Sequence, residues 1–114
     1  MLSLRKISKK MVMKNIITDK LPQIALLCDK YCVASMYLFG SAATDFFNET
    51  SDIDFLISFR NDVALEEYAD NYFDLMFELE TLFDRNVDLV TEKTLANPYF
   101  IRSVEQSKQL IYAT

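Results

Sequence analysis

Apolar residues recur at helical spacing from Leu21 through Ile24, Ala25, Leu27, Cys28 and Tyr31 to Cys32. The pattern predicts an amphipathic helix of about three to four turns, capped by Thr18 and Asp19, with Pro22 accepted in a first turn whose amides have no internal partner. A short apolar strand over Met36 to Phe39 follows, and the chain breaks at Gly40-Ser41. Gly40 to Asn48 reads as a turn and a short helix, and Asn48 to Ser51 as a polar loop. Ile53 to Phe59 is apolar on both faces except at Asp54 and Ser58, as in a central strand covered by helices. Asn61 and Asp62 are helix starters, and Glu66 and Glu67 fall where the helix dipole favours acids. Leu65, Tyr68, Ala69, Tyr72, Phe73, Met76, Leu79, Leu82 and Phe83 then mark the packed side of a long helix that Asp84-Arg85-Asn86 closes. Val87 to Val90 is a short strand interrupted by one acid, Asp88. Asn97 caps a last helix with Pro98 at its first position, running to Ser107, and Leu110 to Tyr112 adds an edge strand. This order predicts an α/β (α+β) fold, a small mixed sheet flanked by helices.

A chain of 114 residues, 51% hydrophobic and 13% aromatic, holds one core and no second substrate domain. We divide it into a basic segment, residues 1–17, and a domain over residues 18–114. Five of its 12 basic residues, Arg5, Lys6, Lys9, Lys10 and Lys14, fall in the first 14 positions with no acid among them. The rest carries 7 bases against all 17 acids. An acidic body argues against a nucleic-acid surface built on the fold, so only the basic tail could contact nucleic acid. Met11 and Met13 offer later translation starts. No apolar run approaches the roughly 18 residues of a membrane span, and the N-terminus lacks an apolar signal region. The expectation is a soluble, cytoplasmic protein. Cys28 and Cys32, with no histidine in the chain, are too few ligands for structural zinc and read as buried free thiols.

The chemistry gathers in one stretch, Tyr37 to Ile57. Gly40 is the only glycine in the chain and stands where a strand ends and a helix begins, a place for close approach of a phosphate to the backbone. Asp52 and Asp54, two apart, point to one face at about 6.5 to 7 Å of strand rise and can share divalent cations. A dinucleotide fingerprint or a P-loop needs more than one glycine, and a nucleophilic triad has no histidine to use. A carboxylate cluster able to hold magnesium beside a Gly-Ser turn remains.

Leu38-Phe39-Gly40-Ser41, ten residues, Asp52-Ile53-Asp54 and a lone acid in Val87-Asp88-Leu89-Val90 resemble the nucleotidyltransferases of the polymerase beta superfamily. The chain is most similar in plan to the minimal nucleotidyltransferases, single-domain proteins often encoded with a HEPN-domain toxin. The resemblance implies that Gly40 and Ser41 hold the triphosphate of ATP, and that Asp52, Asp54 and Asp88 hold two Mg2+ ions and carry catalysis. It further implies transfer of AMP to a hydroxyl of a protein acceptor, with the protein acting as antitoxin to a HEPN partner. Members commonly read Gly-Ser-x-Ala-Arg-Gly. Here Ala43 matches, whereas Thr44 and Asp45 replace the arginine and the glycine, which removes a cation and adds an acid near the phosphates. That departure favours a second reading, a catalytically weak module of the same fold that neutralises its partner by contact. An aminoglycoside or tRNA-type transferase would need acceptor-binding domains that this length does not supply. Phe46, Phe47, Tyr99 and Phe100 fall outside core positions and mark a candidate rim for a homodimer or a toxin complex.

Overall fold

A computed structural model of the chain describes residues 16–43 and 52–114. A helical turn over residues 16–19 leads through Lys20 into α1 (Leu21–Lys30). Thr18 and Asp19 therefore lie within that turn and do not cap α1. Lys20 occupies the cap position without a side-chain hydrogen bond, and Pro22 sits in the first turn, where a missing N–H costs nothing. Ile24 and Cys28, four apart, are the residues α1 buries. Burial pushes the Cys28 thiol up to about 12, which keeps it protonated and unreactive; Cys28 and Cys32 are both unbridged. Cys32 itself takes a left-handed φ of 62° and turns the chain into β1.

The sheet has four strands, β1 (Val33–Phe39), β2 (Ile53–Phe59), β3 (Val87–Thr91) and β4 (Gln109–Ala113), in the order β3-β2-β1-β4. β1 runs antiparallel to β2 and β4, whereas β2 and β3 are parallel. A parallel pair needs a crossover, and α2 (Leu65–Phe83) supplies it. After β3, a short 3-10 turn over Glu92–Thr94 leads to α3 (Pro98–Ser107). The Asn97 side chain accepts from the amides of Tyr99 and Phe100, so the cap and the proline place α3 as the sequence predicts. Among the described residues no helix is long and apolar enough to cross a membrane.

Alternation along the strands divides the core in two. Ile53, Phe55 and Ile57 of β2, with Met36, Leu38, Val87 and Leu89, pack against α1 and α2, and Ile17 joins them. On the other face Phe39 and Leu56 pack on Val104 of α3, with Tyr37, Val90 and Leu95 alongside. α2 buries Leu75, Leu79 and Phe83, and Tyr72, Met76 and Leu82 pack against the same core as sequence spacing predicts, whereas Leu65 is 87% exposed and Phe73 59% exposed. Its N-cap is Ala64, without a side-chain bond, so Asn61 and Asp62 lie in the preceding turn and do not start it. Its C-cap is Asp84, at φ 52° in the left-handed region. Glycine adopts that conformation without a Cβ penalty, so Asp84→Gly should stabilise the fold by about 1 kcal/mol in chemical denaturation.

Candidate active site

The second face of the sheet carries the acids at one end. β1 stops at Phe39, and Gly40 turns with φ 70° into a 3-10 segment, Gly40–Ala43. The antiparallel register sets Phe39 opposite Asp54, and the parallel register sets Asp54 opposite Asp88. Partners in one row point to the same face, so two acids 34 positions apart in sequence become neighbours on strands about 4.8 Å apart. Asp52, immediately before β2, continues the alternation and brings a third carboxylate to that end. Asp52 and Asp88 are exposed, and Asp54 is half-buried between them. Asp88 is itself exposed, so its charge carries no burial cost in this apolar strand.

Burial pushes the Asp54 carboxyl up to about 6, and the charges of Asp88 and then Asp52 add to the rise. Asp54 therefore feels the charge of both neighbours. Among the described residues no three acidic or thiol groups are drawn together as a ready-made metal cage. Mutual repulsion among carboxylates on neighbouring strands is what a bound cation would offset. Carboxylate oxygens are nevertheless the ligands a hard divalent cation takes, so the donor chemistry suits magnesium.

Gly40 is required twice over. Its φ is one that residues with a Cβ rarely adopt, and an ideal Cβ built there would overlap Asp54 Oδ2 and lie 3.1 Å from Asp54 Cγ. The sequence points to a phosphate as the group that approaches this glycine; in the structure the carboxylate of Asp54 fills the space. The backbone of Ser41 follows directly in the 3-10 segment. Thr44, Asp45, Phe46, Phe47 and Ser51 lie outside the described residues.

Tyr72 packs against the core as its spacing predicts, and its hydroxyl adds a contact that spacing does not show. The Tyr72 hydroxyl makes a short hydrogen bond to the Leu89 carbonyl, tying α2 to the strand position next to Asp88. Desolvation and the charge of Asp88 both push the Tyr72 hydroxyl pKa up, so it remains a donor. Only the spacing of Tyr72 in α2 hints at this from sequence. Tyr72→Phe should cost about 1 kcal/mol of stability and lower the turnover rate several-fold, with KM for nucleotide unchanged, in steady-state assays.

At the start of α3, Tyr99 is 82% and Phe100 41% exposed, and the Phe100 ring meets Phe39, the strand partner of Asp54, edge-on with centroids 5.8 Å apart. Both side chains are accessible on the α3 side, as their positions outside the core predict. A cavity of about 360 Å³ lined by Arg60, Asn61, Glu92 and Lys93 sits at the other end of β2, and none of the three carboxylates lines it. It is no part of this site.

The nucleotidyltransferase domain family matches residues 23–111. A Methanocaldococcus jannaschii relative, named as a candidate protein adenylyltransferase, is 40% identical over 89 residues, spanning 76% of this chain and 83% of its own. Among solved structures, a toxin-antitoxin complex with AMP-PNP superposes with a TM-score of 0.64 at 22% identity, covering 82% of this chain and 73% of that one. A Shewanella oneidensis complex of a tri-AMPylated HEPN toxin with its MNT antitoxin gives 0.60 at 20% identity, covering 86% and 73%. At these identities the structures show a shared fold. The family match over most of the chain and the 40% identical relative carry the assignment further: this chain belongs to the nucleotidyltransferase family and is an enzyme of that class.

Proposed function

We propose that the protein transfers AMP from ATP to a hydroxyl group on a protein, and that it does so in the cytoplasm as the antitoxin of a HEPN-domain partner. The observation that carries this reading is the row formed by Asp54 and Asp88 beside Gly40, with Asp52 two residues upstream. The adenylyltransferase name of the relative supports the reaction. AMP-PNP in one structural neighbour supports the nucleotide, and the HEPN toxin of another supports the partner. Two unbridged thiols fit a reducing compartment. The catalytic domain would run over residues 18–114, with residues 1–17 outside it.

In this reading Asp52, Asp54 and Asp88 would hold two magnesium ions. Bound magnesium would supply the positive charge that the attacking and leaving oxygens need. The turn at Gly40 and Ser41 orients the triphosphate. The acceptor oxygen forms a bond to the α-phosphorus as the bond to the bridging oxygen breaks, pyrophosphate leaves, and Asp88 accepts the hydroxyl proton. The exposed edge beside Tyr99 and Phe100 leaves room for a protein acceptor.

Thr44 and Asp45 favour a second reading, neutralisation by contact without transfer. One experiment separates the two. Incubation with ATP, Mg2+ and the partner, followed by mass spectrometry of the partner, should show AMP adducts that vanish with Asp52→Asn. An unmodified partner that is still bound and silenced would replace the first reading with the second.

A further inference from the structure

One flank of α2 has no role in the site or the core. Leu65, Ala69, Phe73 and Phe77 recur every fourth residue along it, and Leu65, Phe73 and Phe77 are 87%, 59% and 69% exposed. Residues four apart form one row on a helix, so this is a continuous apolar ridge. A cavity of about 250 Å³ opens beside it, between α2 and the edge strand β3, with Tyr68, Tyr72, Phe73 and Leu89 among its walls. Glu66, Asp70 and Asp74, each one residue further on, form a parallel acidic row, also exposed. α2 contains no lysine or arginine at all. Two such helices packed on each other would set acid against acid, so the ridge is not its own partner.

The complement stands in the same chain. Leu4, Ile7 and Met11 are three and four apart, and Lys6, Lys10 and Lys14 repeat every four residues beside them. At helical spacing this is an apolar row next to a basic row. We propose that the exposed flank of α2 is the docking site for this basic segment, residues 1–14, donated by a second copy of the chain and exchanged reciprocally in a dimer.

Geometry decides between a second copy and the same one. Ile17 and Thr18 line a groove with Leu38, Gln109 and Ile111, so the described chain begins beside β4, the sheet edge opposite β3. Three strand spacings, about 14 Å, and the body of α1 separate that point from the ridge. Fourteen residues coiled as a helix span about 21 Å along α2, which leaves Asn15 alone to bridge the gap. A second copy has no gap to bridge. Reciprocal exchange closes the assembly with two-fold symmetry.

Light scattering of the full-length chain over a concentration series, at low and high salt, tests this. The expected result is a dimer at low salt that weakens about tenfold or more at high salt, since each exposed charge pair is modest and screened. Lys6→Glu, Lys10→Glu and Lys14→Glu together should yield a monomer. Adding Glu66→Lys, Asp70→Lys and Asp74→Lys to that variant should restore the dimer with its charges exchanged. Phe77→Ser, at an exposed position, should weaken the dimer without touching any charge, with circular dichroism confirming that the variant folds. A wild-type chain that stays monomeric at low salt overturns the proposal. So does a dimer that survives the lysine reversal, or one that the combined reversal fails to restore.

Discussion

Asp54→Asn is expected to abolish metal-dependent transfer and, at the same time, to make the metal-free protein more stable at neutral pH. The carboxyl of Asp54 is pushed up to about 6 from its usual 3.8, first by burial and then by Asp88 and Asp52. Between those two pH values the folded chain keeps a proton that the unfolded chain has released, so stability falls as pH rises through this interval. Above about pH 6 the loss is complete, and the fold carries a charge it would rather not hold. A shift of about two units corresponds to roughly 2.7 kcal/mol. Asp54 is only half-buried, and solvent screening reduces the expected gain from neutralising it to about 1 kcal/mol. Thermal melts without metal, from pH 4 to pH 8, should show the wild type and the variant converging at the acid end and separating above pH 6. Added Mg2+ should raise the melting temperature of the wild type and leave the variant unmoved. A variant less stable than wild type at pH 7.5 would mean that Asp54 is held by favourable contacts and not strained by its neighbours.

Gly40→Ala should damage both fold and activity, for reasons that can be separated. The left-handed backbone costs a residue with a Cβ about 1–2 kcal/mol, and the overlap with Asp54 adds a packing cost of about 1–3 kcal/mol. A total loss of about 2–5 kcal/mol is expected in urea denaturation. Combining the substitution with Asp54→Ala removes the overlap and leaves the backbone term. The loss caused by Gly40→Ala should therefore shrink by about half in that background, as coupled neighbours require. Equal losses in both backgrounds would place the whole cost in the backbone and free Gly40 of its link to the carboxylate.

How far the sequence reaches varies with the distance over which each feature is decided. Asn97 and Pro98 specify the start of α3 through contacts within three residues, and the structure begins α3 there. Ile53 to Phe59 is apolar on both faces because helices cover both, and its bounds in the structure are the same. The α2 stripe is legible at Tyr72, Met76, Leu79, Leu82 and Phe83 and fails at Leu65 and Phe73, because apolar residues at three- and four-residue spacing imitate a packed face even where they are exposed. Phe73 satisfies the period yet points outward, while Leu75 lies on the true one. Side-chain chemistry near Asn61 and Asp62 allows a cap that the chain does not use. The row of Asp54 and Asp88 could not be read from spacing, because parallel register depends on how α2 spans the two strands. The link from Gly40 to Asp54 was hidden for the same reason: the glycine is legible, and its neighbour across the sheet is not.

β3 sits at the border of the sheet, held by one ladder to β2 and by side chains of α2, the Tyr72 hydroxyl donating to the Leu89 carbonyl and the Glu80 carboxylate accepting from the Val87 amide. A strand paired on one side opens at lower free energy than one paired on both. Asp88 rides on that strand, whereas Asp54 rides on one flanked on both sides. Warming should therefore detach the third carboxylate before the domain melts, and heat inactivation should set in below the calorimetric transition. Amide exchange at Asp88 and Val90 should outpace that at Phe55 and Leu56, which sets the working temperature of the enzyme by the fraying of one strand.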